Sequence, residues 1–423
     1  MTPCFRYRSN SLHAEDVALK AIADAVGTPF YCYSTAALTG NYSAITRSFS
    51  SSDHLLCYSV KANSNQAVLK TLAGLGAGAD IVSQGELHRA LAAGMPAERT
   101  VFSGVGKTRE EMIFALGHNI LCFNIESKCE LVLLNEIAVA AGRRAPVAIR
   151  INPDIDAGTH EKISTGRARD KFGISWRDAQ EIYAYAASMP MLEIKGIDMH
   201  IGSQILELEP FETACRLMAK LVVKLRGQGH AIEHVDIGGG LGIAYRDSDR
   251  EPETIEDYSA LVRRIFEPLK CRIILEPGRF IAGNAGVLVT RVIYIKHSGV
   301  FHFVIVDAAM NDLARPALYD VSHEIRPVIE PDPRRRIMTA DVVGPVCESG
   351  DCLAKNYSLP EPKSGDLLAI MCTGAYGAVL SGTYNTRRLV SEVLVHQDRF
   401  SVVRERLSYE AIIDLDALAD WQS

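Results

Sequence analysis

Residues 55–65, Leu55-Leu56-Cys57-Tyr58-Ser59-Val60-Lys61-Ala62-Asn63-Ser64-Asn65, read as an apolar strand that stops at a lysine and runs into a polar turn. An ammonium at the end of a buried strand destabilises unless it finds a partner. Two uses compete for Lys61: a side chain that snorkels into water, or a desolvated amine that attacks a carbonyl. Within this segment alone the first is favoured.

The pattern recurs. Apolar runs at 55–60, 78–82, 100–102, 120–123, 146–151, 194–199, 234–237 and 272–275 alternate with helical periodicity at 66–75, 86–93, 127–141, 176–187, 210–228 and 255–269. Eight strands interleaved with helices over about 225 residues suit an α/β fold of the (β/α)8 TIM-like barrel type, although alternation alone also permits a doubly wound sheet. The strand ends decide. The runs stop at Lys61, Ser83, Ser103, Asn124 with Glu126, Asn152, His200, Gly238-Gly239-Gly240 and Glu276. A barrel gathers its C-terminal strand ends at one mouth, and an open sheet does not focus eight strands on one point. The expected fold is the barrel.

Past residue 282 the texture changes. Segments 287–295, 301–306, 337–343, 367–371, 392–396 and 401–403 read as strands between Gly, Pro, Asn and Asp turns, with helical periodicity only at 409–421. The expected organisation is a barrel at 27–282 and a mostly β domain, barrel- or sandwich-like, at 283–423. Residues 1–26, a weak strand at 5–8 and a helix-like stretch at 16–26, are assigned with the β domain.

Composition narrows the function. The 423 residues are 48% hydrophobic and 23% charged, ordinary for a globular chain of about two domains. Lys+Arg 45 against Asp+Glu 51 gives a net charge of −6, which argues against nucleic acid as the main partner. The basic run Arg334-Arg335-Arg336 reads as a solvated loop. No stretch approaches the roughly 20 apolar residues of a membrane span, and the first eight residues lack the apolar core of a signal peptide. Ten scattered cysteines, several inside apolar runs, suit reduced thiols, and no clustered His/Cys set points to a metal. A cytoplasmic enzyme without a metal site is expected.

Five motifs carry chemistry. Gly238-Gly239-Gly240-Leu241-Gly242 follows a strand and lets backbone amides approach an anion, although a tight turn explains it equally well. Glu276-Pro277-Gly278-Arg279 places a carboxylate able to hold a proton on a heteroaromatic nitrogen, against a structural Glu–Arg pair. His200 can stack on a flat ring, and Ser203 can donate to a phosphate. Cys347 lies in a loop beside Glu348 and Asp351, suggesting proton transfer, for which cysteine, with an unperturbed pKa near 8.5, would need its environment to tune it. Tyr376 stands in Gly374-Ala375-Tyr376-Gly377, which presents a ring or merely makes a turn. Each is weak singly. Together they are the parts of a pyridoxal-phosphate site.

Tyr58-Ser59-Val60-Lys61-Ala62-Asn63, His200-Ile201-Gly202-Ser203-Gln204, Asp236-Ile237-Gly238-Gly239-Gly240, Glu276-Pro277-Gly278-Arg279 and Cys347-Glu348-Ser349 resemble the barrel-type pyridoxal-phosphate decarboxylases over nearly the whole chain. Asn152-Pro153-Asp154, Lys171-Phe172-Gly173-Ile174 and the run from Asn311 to Tyr319 resemble the branch that acts on diaminopimelate. The resemblance implies decarboxylation of meso-2,6-diaminopimelate to L-lysine, the last step of bacterial lysine biosynthesis. It implies that Lys61 bonds the cofactor covalently. Gly238, Gly239, Gly240, Gly278 and Arg279 would hold the phosphate with Ser203, His200 would stack on the ring, and Glu276 would pair with its nitrogen. Pro277 belongs to the same cofactor loop. Arg279, Arg315 and Tyr319 would grip substrate, Glu348 its distal amino group, and Tyr376 would touch both cofactor and substrate. Cys347 would be the proton donor, contributed by the partner subunit of a homodimer with shared active sites. Ser59, where many relatives carry alanine, and Arg167-Ala168-Arg169 depart from the pattern without touching these roles. Rival readings are an arginine, ornithine or carboxynorspermidine decarboxylase, or a racemase on the same barrel.

Overall fold

The computed structural model describes residues 4–158 and 160–422, and the chain divides into two compact units. Thr39–Ala244 and Arg250–Ile281 form one; the chain up to Leu38, Tyr245–Asp249 and the chain from Ala282 form the other.

The first unit is a closed barrel. Its strands are β1 (His54–Ser59), β2 (Gly78–Ile81), β3 (Thr100–Phe102), β4 (Cys122–Ile125), β5 (Ala145–Asn152), β6 (Leu192–Asp198), β7 (His234–Asp236) and β8 (Arg272–Leu275). Each lies parallel to the next, and β8 returns to β1 through Ile274↔Leu55, so no edge is left. Leu55, Cys57, Val101, Cys122, Ala148 and Ile274, from β1, β3, β4, β5 and β8, make a buried cluster of the kind that fills such a barrel. Helices follow most strands, and several of their starts are capped by a side chain. Asn65 accepts from the Ala67 amide at 2.9 Å, Ser83 from Glu86 at 3.2 Å, and Thr108 forms a capping box with Glu111. Ser83, one of the polar strand ends, thus serves the following helix.

The second unit is β-rich. Gly286–Ser298 pairs with Phe30–Ser34, Phe301–Val306 and Leu367–Ile370, and Phe30–Ser34 pairs in turn with Ser391–His396. Phe5, Leu12, Leu19, Ile22, Phe30, Val287, Val289 and Val393 pack in one core there. The expected barrel boundary at 27 therefore needs correction. Phe30–Ser34 is a strand of the β sheet because its apolar run finds partners more than 250 residues away, a pairing that no local pattern reveals. Cys352–Pro360, absent from the sequence reading, is a further strand, antiparallel to Ile337–Val343. No described helix is long and apolar enough to cross a membrane.

Candidate active site

Lys61 lies on the 3-10 turn Val60–Ala62 that ends β1, and its Nζ donates to Asp80 Oδ2 at 2.7 Å. Asp80 is fully buried on β2, so its charge is compensated chiefly by this ammonium and by a hydroxyl. That hydroxyl is Ser59 Oγ, 2.7 Å from Asp80 Oδ2 and 2.9 Å from the Glu276 carbonyl. Ser59, read from the sequence as a bystander, ties the Lys61 pair to the end of β8.

Glu276 is buried, and its Oε1 accepts from Ser103 Oγ at 3.3 Å and Asn124 Nδ2 at 3.4 Å. Two strand-end residues with no assigned role thereby orient the carboxyl. Asp198 and Asp236 join it, with a carboxyl oxygen of each of the three within 4.8 Å of the others. Asp198 Oδ1 and Asp236 Oδ2 have no hydrogen-bond partner among the described residues, although both are buried. A proton held on one carboxyl is the donor such an oxygen needs. Burial drives all three upward: Asp236 to about 7, with Asp80 adding to the rise and the Gly238 amide and Glu276 opposing it, and Asp198 and Glu276 well above the carboxylate range, each raised further by the charge of Asp236.

This cluster has a consequence for stability. Between the unfolded Asp value near 3.9 and about 7, the folded chain holds a proton on Asp236 that the unfolded chain has released. Stability from this group is present at low pH and lost as pH rises through 7, an effect of up to about 4 kcal/mol. Asp236→Asn should therefore flatten the fall in Tm of cofactor-stripped protein between pH 5 and 8 by a few degrees. Parallel Tm curves for the two proteins would show that Asp236 carries no such proton.

The anion side is built from glycine and arginine. Gly238 adopts φ +67°, and a Cβ on Gly239 would lie 2.4 Å from the Glu276 carbonyl oxygen, so only glycine lets the loop pass. The Gly238 amide donates to Asp236 Oδ1 at 2.9 Å and the Gly239 amide to His200 Nδ1 at 3.2 Å. The Gly240 amide makes no hydrogen bond among the described residues. Because His200 Nδ1 accepts, the ring is neutral with its proton on Nε2; burial first, then Arg150 and Lys61, hold it well below the usual histidine range. Arg279 Nη2 and Nε donate to Ser203 Oγ at 2.9 and 3.3 Å.

Sequence reasoning missed the buried charges inside the strands. Arg150 on β5 donates to Glu126 Oε1 at 3.0 Å and lies 4.9 Å from the Phe172 ring centroid. Glu126 also takes the Gly104 and Gly173 amides at 2.8 and 3.0 Å, and Asn152 Nδ2 donates to the Phe172 carbonyl at 3.0 Å. The Asn152 and Lys171-Phe172-Gly173 motifs thus brace one ion pair. The available signal was a lone charge within an apolar strand, which is rarely buried without a task.

Five expected site residues belong to the β-rich unit. Arg315 is buried at the start of the helix Arg315–Tyr319, its Nε 3.4 Å from His323 Nε2 and its guanidinium 4.7 Å from the Tyr245 ring centroid. Tyr319 is half-buried at the end of that helix. Cys347 and Glu348 are exposed; the Cys347 amide donates to Asn385 Oδ1 at 2.8 Å, and Tyr384 hydrogen-bonds Glu348. Tyr376 is half-buried with φ +56°, a backbone state tyrosine rarely adopts and one concentrated at functional loops.

An amine, a glycine loop, a neutral imidazole and a buried carboxyl on one barrel mouth define an enzyme that holds a flat, anionic, carbonyl-bearing cofactor. These residues fit pyridoxal phosphate. The unengaged Gly240 amide and the Ser203–Arg279 pair suit its phosphate, and Glu276 suits its nitrogen.

Comparison with known proteins agrees. The family described as "Pyridoxal-dependent decarboxylase, pyridoxal binding domain" matches residues 36–283. The chain is 47% identical to the diaminopimelate decarboxylase of Zymomonas mobilis over 420 residues, 99% of each chain. It is 50% identical to that of Pseudomonas fluorescens over 403 residues, covering 95% of this chain and 96% of that one. The crystal structure of the Helicobacter pylori diaminopimelate decarboxylase complexed with L-lysine is similar at TM-score 0.90 and 41% identity, over 94% of this chain and 98% of that chain. The chain belongs to the pyridoxal-dependent decarboxylases and, within them, to the diaminopimelate decarboxylase family.

Proposed function

We propose that this chain removes CO2 from meso-2,6-diaminopimelate to give L-lysine, the last step of bacterial lysine biosynthesis, with pyridoxal phosphate as cofactor. The observation that carries the reading is the Lys61 amine, held by a buried aspartate on the barrel mouth that also bears the Gly238–Gly240 loop and Glu276. When bound, pyridoxal phosphate supplies a sink for the electron pair left at the α-carbon as CO2 departs.

Every other role falls to the chain. Lys61 would hold the cofactor through its amine, and Asp80 pairs with that amine. Glu276 would face the ring nitrogen, where its carboxylate would favour a proton on that nitrogen. Gly240, Ser203, Gly278 and Arg279 would bind the phosphate, and the neutral His200 ring would pack on the cofactor. Arg315 and Tyr319 anchor the carboxylate remote from the reaction, with Glu348 on the remote amino group and Tyr376 against the bound pair. Those contacts select which end of a nearly symmetric substrate reacts. Cys347 delivers the proton that replaces CO2.

The working form is proposed to be a cytoplasmic homodimer in which Cys347 comes from the partner subunit. Re-assorting Lys61→Ala and Cys347→Ala homodimers, each inactive, should restore about a quarter of wild-type activity. Half the dimers are then mixed, and each mixed dimer has one intact site. No recovery after verified subunit exchange would place Lys61 and Cys347 in one subunit's site. For the reaction itself, product analysis decides: lysine with one equivalent of CO2 supports it, and an epimerised diaminopimelate with no CO2 makes the chain a racemase.

A further inference from the structure

We propose that His323 is a positioning residue for substrate selection: with the Tyr245 ring it fixes the guanidinium plane of Arg315 for a carboxylate ligand. The proposal rests on the reading of Arg315 as the anchor of the remote carboxylate.

Two contacts assign the imidazole. Arg315 Nε can only donate, so His323 Nε2, 3.4 Å away, must carry its lone pair. The Met371 carbonyl can only accept, so His323 Nδ1, 2.8 Å away, must carry the proton. Both select the same neutral tautomer. A cationic imidazole would turn an N–H toward a guanidinium that has no lone pair to offer.

The ring is itself held from three directions. The Glu324 amide donates to the Tyr245 carbonyl at 3.1 Å, and the Met371 amide donates to the Glu324 carbonyl at 2.8 Å, locking the backbone beside His323. The Tyr245 ring meets His323 edge-on at 5.0 Å and 83°, and it also lies under the Arg315 guanidinium. Tyr245 belongs to a tethered segment, because Arg326 Nη2 grips both Asp247 oxygens at 2.7 Å. His323 is fully buried.

A histidine kept only for packing has no need of an acceptor aimed at Arg315. Engaging the Nε edge and one face of the guanidinium sets its plane before a carboxylate ligand arrives. Rotamer freedom lost before binding is not lost again on binding, so the benefit falls on affinity for carboxylate ligands.

The test compares L-lysine with 1,5-diaminopentane, which lacks the carboxylate, in calorimetric titrations of the holoenzyme. His323→Asn keeps the donor to Met371 but loses the acceptor for Arg315. It should weaken lysine about tenfold, leave diaminopentane within about twofold, and raise KM for diaminopimelate more than it lowers kcat. His323→Gln, whose amide oxygen can take the Nε2 position, should recover most of the loss. Tyr245→Leu, which removes the support on the other side, should show the same selective loss and decides the matter if the asparagine variant does not fold. Equal loss of both ligands, or of neither, overturns the proposal. Arg315→Leu separates the layers. If it fails to abolish the preference for lysine, the anchor reading itself is wrong; if it succeeds while His323→Asn and Tyr245→Leu change nothing, only the positioning role falls.

Discussion

Lys61→Ala is expected to lower CO2 release from diaminopimelate by a factor of about 10^4 or more, because it removes covalent attachment and orientation of the cofactor together. The visible absorbance of the lysine-bound cofactor should vanish at the same time. The folded state should tolerate the change. Lys61 is partly exposed, and buried Asp80 keeps the Ser59 hydroxyl as a donor. The phosphate contacts proposed for Gly240, Ser203 and Arg279 would not depend on Lys61, so the variant should still bind pyridoxal phosphate non-covalently. A variant that keeps the absorbance, or that works within about tenfold of wild type, would mean that another amine holds the cofactor.

Arg315→Leu carries the second large effect. A buried guanidinium paired with a carboxylate contributes about 2–5 kcal/mol when its partner is desolvated, so kcat/KM for diaminopimelate should fall about 10^2- to 10^3-fold. Leucine fills much of the volume, and the cost to stability is the unpaired acceptor left on His323 Nε2. Arg315→Lys should rescue only part of the activity, since it restores the charge but not the planar fork. Steady-state kinetics on the three proteins check this. An unchanged kcat/KM in Arg315→Leu would remove the basis for selecting diaminopimelate.

The barrel was legible because its strands are short apolar runs that stop at polar residues, and that contrast survives without any tertiary information. Even so, the strand ends mixed two purposes. Ser83 caps a helix, whereas Ser103 and Asn124 orient Glu276. The anion loop and Glu276 were visible because glycine runs and a strand-end carboxylate are local signals. Asp80, Arg150, Asp198 and Asp236 were not. A charge inside an apolar strand blurs the periodicity used to find the strand, and its partner lies on another strand. Ser59 shows the same limit more sharply: its value lies in Asp80 and the Glu276 carbonyl, neither of which is near it in sequence. Phe30–Ser34 went unseen for an equivalent reason, since only its distant partners make it a strand of the β unit.

The most direct test of the proposed reaction is CO2 release by the purified holoenzyme from meso-diaminopimelate, arginine and ornithine under identical conditions. The expected result is turnover of diaminopimelate, with lysine formed in equal amount and kcat/KM at least about 10^2-fold above the other two, the discrimination a desolvated carboxylate anchor provides. Comparable or faster release from arginine or ornithine would contradict it.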